Sequence, residues 1–332
     1  MTTPGDSGSP IQSKICDEEM IYARMSHAGS IKINKGSRNQ RFSQKCHVCD
    51  KEPPVCWCHD CQKSICNDCH NTHCDSDDNS RHILQHVDDK YALDSKFKVD
   101  VSLITDLKVF NDGLLVMADW NGKQLVTCHI TGPEQYSVAL PGDPYRMAVV
   151  DNNTVAVTLP IMAAVVIVNV RERKVLRHII AKTDAGGIMF RDGLLFLGLD
   201  KGIKIIDMSG EVKRTIPVGN VTKYICDGEA ESIFYSDLDK LYCIDSEGNT
   251  LFTFTDPNMR GPRVIIKDDK GYLLVTSERS SNLIRISPDG KEGHVIITQI
   301  PMSSWSPYLC YHSVSESVLI GLDKTVYVYK KL

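Results

Sequence analysis

From residue 97 to the C-terminus the chain is a succession of short apolar runs separated by acidic turns that carry asparagine or glycine. The pattern repeats. Leu114-Leu115-Val116-Met117, Val155-Ala156-Val157, Leu194-Leu195-Phe196-Leu197, Ile233-Phe234-Tyr235, Tyr272-Leu273-Leu274-Val275 and Val318-Leu319-Ile320 start 41, 39, 39, 39 and 46 residues apart. Short apolar runs bounded by turn residues read as strands, and the 3.6-residue period of a helical solenoid is missing. A period near 40 built of such strands predicts an all-β fold, a six-bladed β-propeller with one four-stranded blade per repeat. Two stacked antiparallel sheets are the alternative for the same strand content. The first repeat divides into strands at 107–110, 114–118, 125–130 and 136–140, and the third into 188–190, 194–199, 203–208 and 212–218. The turns Asn111-Asp112-Gly113, Asp151-Asn152-Asn153, Arg191-Asp192-Gly193 and Asp268-Asp269-Lys270-Gly271 supply the positive-φ positions of tight hairpins. The sixth repeat ends at Leu332 after a third strand at 325–329. A ring left open would expose two strand edges, so residues 97–101, just ahead of the first repeat, are expected to supply the missing outer strand.

Charge divides the rest of the chain. Residues 1–45 carry 7 basic and 4 acidic side chains, residues 46–95 carry 4 and 10, and residues 96–332 carry 27 and 28, which sums to the net −4 of the 332 residues. A neutral propeller lacks the basic signature of a DNA-binding domain. The longest apolar run, 161–168, is under half the ~18 residues of a membrane span. The first 30 residues are polar, with no signal-peptide core, so a cytoplasmic protein is expected. Three regions follow: a loosely ordered segment at 1–45 with one short amphipathic stretch at 15–25, a small acidic module at 46–90, and the propeller at 96–332.

Thirteen cysteines are present, eight of them between Cys46 and Cys74. Without a secretory segment, dense cysteines read as metal ligands before disulfides. The run is Cys46-x2-Cys49, Cys58-x2-Cys61, Cys66-x2-Cys69, then His73 and His82. Structural zinc takes four Cys or His ligands, so eight ligands predict two zinc ions. A segment this short has too little core to fold alone, and metal binding would supply its folding free energy. All eight positions are filled by protein, which leaves no open site for catalytic water.

This spacing resembles the B-box zinc finger of the first type. In that family the ligands interleave, which implies one zinc on Cys46, Cys49, Cys66 and Cys69 and a second on Cys58, Cys61, His73 and His82. His70 or Cys74 could take the place of His73. A B-box ahead of a six-bladed propeller resembles the tripartite-motif (TRIM) proteins that end in NHL repeats, and Ala118-Asp119-Trp120-Asn121-Gly122 resembles the NHL signature turn. The resemblance covers roughly residues 46–332. Family members often add a RING finger and a coiled coil. Here Cys16 is the only cysteine before Cys46, too few for a RING, and about 14 residues after His82 are too few for a coiled-coil dimer.

In a propeller the loops between blades and between second and third strands share one end. Those loops hold Trp120, Tyr145, Arg146, Tyr224, Arg260, Arg263, Arg279, Trp305 and Tyr308, residue types enriched at interface hot spots. Pro160-Ile161-Met162-Ala163 is an apolar loop tip among them. Packing between blades is the competing role for each. Lys213, Arg214 and Lys223 with Arg260 and Arg263 are candidate phosphate contacts. No Gly-x-Ser-x-Gly, P-loop or His-Glu-x-x-His motif occurs, and Cys128, Cys226, Cys243 and Cys310 fall on apolar strands as core thiols. The expectation is therefore a non-catalytic, zinc-binding adaptor whose propeller recognises a protein partner. The family resemblance adds a link to ubiquitin ligation. An RNA-binding regulator using the same face is the second reading, and a B-box-mediated ubiquitin ligase the third.

Overall fold

The computed structural model describes residues 49, 56–58, 63–66, 84–86, 91–132, 134–219, 224–237, 239–303 and 307–332. Of the sequence-based expectations, segment 1–45, Cys46, Cys61, Cys69, His73, His82, Lys223, Trp305 and the side chain of Cys58 lie outside the described residues.

Six four-stranded antiparallel meanders form the propeller. Blades 1 to 5 span 104–139, 147–180, 188–216, 225–254 and 262–297, and blade 6 is built from 308–331 plus one strand from the other end of the chain. The first strand of each blade contacts the first strand of the next, from blade 1 round to blade 6 and back to blade 1. First strands therefore line the axis of a closed ring.

Position in the ring explains the apolar runs. The second strands of blades 2 and 6, Thr154–Leu159 and Ser317–Leu322, are buried at all six positions, because both faces meet a neighbouring blade. An outer strand such as Val212–Ile216 is exposed at four of its five positions. Leu107, Leu115 and Met117 of blade 1 pack with Leu309 and Leu319 of blade 6. On its other side, Val116, Ala118 and Leu125 pack with Val155, Val157 and Val166 of blade 2. One blade thus shares two cores, and the period-2 alternation of a half-exposed sheet is replaced by continuous apolar runs.

The hairpin turns follow their residues. Gly113, Asp192, Gly193 and Gly271 all have positive φ. Strand limits moved where turn chemistry was subtle. The first strand of blade 1 is Ile104–Val109, three residues earlier than expected, since Thr105 and Asp106 are polar but buried at the axis.

Ring closure is as expected in kind and different in register. The closing strand is Tyr91–Lys98, not 97–101, and it pairs antiparallel with Thr325–Lys331 from Thr325↔Lys98 to Lys331↔Tyr91. Val99 and Val101 are instead buried in the blade 6/blade 1 core, beyond the end of the strand. Their apolar alternation with Asp100 reflects that burial and not strand pairing.

Ahead of the ring, Cys56–Cys58 pairs with both Lys63–Ile65 and Leu84–His86. Gln85 of the last pairs in parallel with Val295, on the outer strand Gly293–Ile297 of blade 5. This small sheet covers an otherwise open propeller edge. Among the described residues, no helix is long and apolar enough to cross a membrane.

Candidate functional site

A blade whose first strand runs away from one end must return to that end after its second and fourth strands. Connections between blades, and between second and third strands, therefore gather at one end of the ring. Trp120, Tyr145, Tyr224, Arg260, Arg263 and Tyr308 all belong to this end.

The structure brings most of them onto one side chain. Arg146, 5% exposed, has the rings of Tyr145, Tyr308 and Tyr224 against its guanidinium at 3.9, 4.5 and 4.7 Å. Trp120 meets Tyr145 edge-on at 5.7 Å. Arg263 reaches the Tyr224 hydroxyl at 3.5 Å and pairs with Glu278 at 2.7 Å. Tyr145, Tyr224, Arg263 and Tyr308 are buried, whereas Trp120 is half-exposed and Arg260 and Arg279 are exposed. The buried members pack as core and the exposed ones form the outer surface above them. The Arg279 amide donates to the Arg260 carbonyl at 2.9 Å, which joins the two blade 5 loops that carry the exposed cations.

Arg146 is held by its backbone and by one nitrogen. Its amide donates to Thr158 Oγ1 at 3.0 Å, and its carbonyl accepts from the Thr158 amide at 2.9 Å. Nη1 donates to the Thr105 carbonyl and, at 3.3 Å, to the Tyr145 carbonyl. Nε and Nη2 are buried with no hydrogen-bond partner among the described residues. The nearby carboxylate of Asp106 is spent elsewhere. It accepts from Lys108 Nζ at 3.0 Å on each oxygen, from the Met147 amide at 2.7 Å and from the Leu107 amide at 2.8 Å. Burial disfavours the charge on Arg146, but Tyr145, Tyr308, Tyr224 and Asp106 outweigh it, and the guanidinium stays protonated. A cavity of about 40 Å³ on the axis is lined by Arg146, Asp106, Lys108, Tyr224 and Tyr308 together with apolar first-strand residues. The sequence reading left Thr105 and Asp106 outside any strand and so missed what surrounds Arg146. Their signal was a polar pair immediately before the apolar run Leu107-Lys108-Val109-Phe110.

The turn Ala118-Asp119-Trp120-Asn121-Gly122 is structural. Asp119, 1% exposed, accepts from the Ser102 and Leu103 amides at 2.8 and 3.1 Å, from the Ser102 hydroxyl, and from Gln124 at 3.0 Å. Burial raises its pKa, but these donors outweigh burial and hold the carboxyl below its usual range. Gly122 completes the turn, because a Cβ there would collide with the Asp119 carboxylate. The apolar tip Pro160–Met162 is a short 3-10 turn whose Met162 leans over Gly142, where a Cβ would meet the sulfur at 2.6 Å.

Among the described residues, the candidate phosphate contacts are divided between blades 3 and 5. Lys213 pairs with Glu211 and Asp207 at 2.6 and 2.8 Å, and Arg214 with Glu247 at 3.4 Å, all on or beside the outer strand of blade 3. Of the expected zinc ligands, Cys49 and Cys66 have side chains among the described residues. Their sulfurs lie 3.6 Å apart across 17 residues of chain. A disulfide would need about 2.05 Å, whereas two thiolates at ~2.3 Å from one tetrahedral zinc lie about 3.8 Å apart. Among the described residues, no group of three or more metal-ligating side chains is gathered.

No protein-family model matches the chain, and no curated protein matches it as a relative. Solved structures do match in fold. Virginiamycin B lyase from Staphylococcus aureus is similar over 73% of this chain and 100% of its own, at 12% identity and a TM-score of 0.56. A streptogramin B lyase matches over 72% and 97%, at 11% identity and 0.55. Hydrazine synthase from Kuenenia stuttgartiensis matches over 68% and 75%, at 15% identity and 0.52. At these identities the likeness shows the β-propeller fold and nothing finer.

Proposed function

We propose that this chain is a zinc-stabilised interaction adaptor, in which the Arg146 end of the propeller recognises a protein partner and a two-zinc B-box-type module precedes it. The arrangement follows the plan of TRIM proteins with NHL-type propellers. The observation that carries the recognition reading is the outer surface at this end, half-exposed Trp120 with exposed Arg260 and Arg279, resting on a buried base of Tyr145, Tyr224, Arg263 and Tyr308 packed around Arg146. Exposed tryptophan and arginine are residue types enriched at interface hot spots, and the buried base beneath them holds them in place. The 3.6 Å separation of Cys49 and Cys66 supports placing both on one zinc, as the interleaved assignment requires, with Cys46 and Cys69 completing that site and Cys58, Cys61, His73 and His82 forming the other. Each zinc would act as a structural cross-link. A link to ubiquitin ligases rests on the resemblance alone.

Protein is favoured over RNA because Lys213 and Arg214 are spent on carboxylates and phosphate binding draws on unspent cations. The test is affinity capture from lysate with the full chain, with and without nuclease, beside a Trp120→Ala/Arg260→Ala variant. Protein partners that survive nuclease and are lost with the variant support the adaptor. Partners that vanish with nuclease, together with a crosslinked RNA of common sequence, overturn it in favour of RNA regulation. Autoubiquitination by purified chain without an added ligase would overturn the non-catalytic reading.

A further inference from the structure

We propose that Arg146 binds a carboxylate in the axial cavity, through the Nε–Nη2 edge of its guanidinium. Three features of the site converge on this. The tyrosine rings satisfy the faces of the guanidinium by cation–π contact, which does nothing for its in-plane N–H groups. The Thr105 and Tyr145 carbonyls take Nη1. That leaves Nε and Nη2, the two parallel donors of the side-on fork, buried and without an acceptor among the described residues. Buried charged donors are costly unless paired.

The wall explains why the missing acceptor is an anion. It carries two cations, Arg146 and Lys108, and one carboxylate, Asp106. That carboxylate is committed to Lys108 and to two backbone amides. Among the described residues of the lining, cations therefore outnumber carboxylates by one. Size and chemistry select a carboxylate over a phosphate. The cavity of about 40 Å³ exceeds the ~10–15 Å³ that one water requires, and it suits a group of three heavy atoms. A planar two-oxygen acceptor matches the fork. Beyond Arg146 and Lys108 the lining carries no further cation and is mostly apolar, with Ile188, Ile225 and Ile265 among it, a poor match for the further charged oxygens of a phosphate.

A free small acid and the carboxylate of a polypeptide share this chemistry. The assay reads the chain alone, so the site stands or falls separately from the partner reading. Full-length ¹⁵N-labelled chain is titrated with acetate at fixed ionic strength, with acetamide as the neutral isostere, and the arginine Nε–H resonances and the melting temperature are followed. Acetate is expected to shift one arginine Nε–H resonance saturably and to raise the melting temperature, and acetamide to do neither. Arg146→Lys keeps the charge but loses the fork, and should weaken acetate binding roughly tenfold or more. Equal responses to acetate and acetamide, or undiminished acetate binding in Arg146→Lys, overturn the proposal. If that variant does not fold, the wild-type spectrum decides, because no acetate-specific Nε–H shift overturns it equally. A glutamate-terminated peptide that competes with acetate, while its C-terminal amide competes less, assigns the site to a polypeptide carboxylate. Acetate binding without such competition assigns it to a free small acid. Both outcomes support the carboxylate site.

Discussion

Deleting residues 325–332 should unfold the whole propeller and not merely its last blade. The deleted strand, Thr325–Lys331, is the third of blade 6, with Ser317–Leu322 on one side and Tyr91–Lys98 on the other. Val326, Val328 and Tyr329 are 0%, 4% and 7% exposed. Burial of such side chains contributes about 1.5–3 kcal/mol each, so roughly 5–9 kcal/mol is lost from these three. A domain's net stability is about 5–15 kcal/mol, and the deletion also strips two strands of their partner. Val328→Ala gives a graded version, removing two buried methyl groups for about 1.6 kcal/mol of transfer energy plus a cavity cost. Deletion of residues 1–98 takes the closing strand from the other side and should also lower the unfolding midpoint, whereas deletion of 1–90 spares that strand and should leave closure intact. The assay is urea unfolding followed by circular dichroism and tryptophan fluorescence. A Δ325–332 chain that keeps a single cooperative transition at the wild-type midpoint would refute the reasoning, since the ring would then hold without its clasp.

Asp119 should give the propeller an acid-sensitive joint. Its folded pKa is depressed, so its stabilisation is complete above the unfolded value of about 3.9 and is lost as pH falls through the folded value. The urea midpoints of wild type and Asp119→Asn should therefore differ at pH 6 and converge as pH falls below about 4. Gly122→Ala should destabilise the ring by disturbing the same carboxylate, and a midpoint equal to wild type would show that the turn accommodates a methyl group. Cys66→Ala should lower bound zinc, measured by mass spectrometry of the metal, from two ions per chain to one while the propeller's unfolding transition survives; two retained ions would refute the interleaved ligand assignment. Burial pushes the Cys128 thiol up to about 11, so iodoacetamide at pH 8 should leave it unmodified in folded protein and label it in urea, read by peptide mass.

Some of this was legible in residue order because the cause is local or periodic. The hairpins of Gly113, Gly193 and Gly271 need positive φ at positions the sequence marks with Asp-Gly or Lys-Gly. The spacing near 40 fixes the number of blades, because each blade needs the same length of chain for four strands. The chain also declared that its two ends must meet, since six repeats ended one strand short. The residue types at the end where the blade connections gather were legible too, because loop position follows from strand count. What lay beyond reach depended on packing between distant parts. Val99 and Val101 look like strand residues but fill the blade 6/blade 1 core, so the true clasp begins at Tyr91, eight residues before Val99. Arg146 was one loop residue among nine. Its burial, its three tyrosine neighbours from blades 2, 4 and 6, and the commitment of Asp106 to Lys108 arise only when first strands converge on the axis. Sequence thus determined the fold class, the repeat and the turn chemistry, which obey short-range rules of spacing and backbone conformation. Tertiary structure decided which strand closes the ring and which guanidinium edge is left without an acceptor among the described residues, because both are settled by what chain closure brings within a few ångströms.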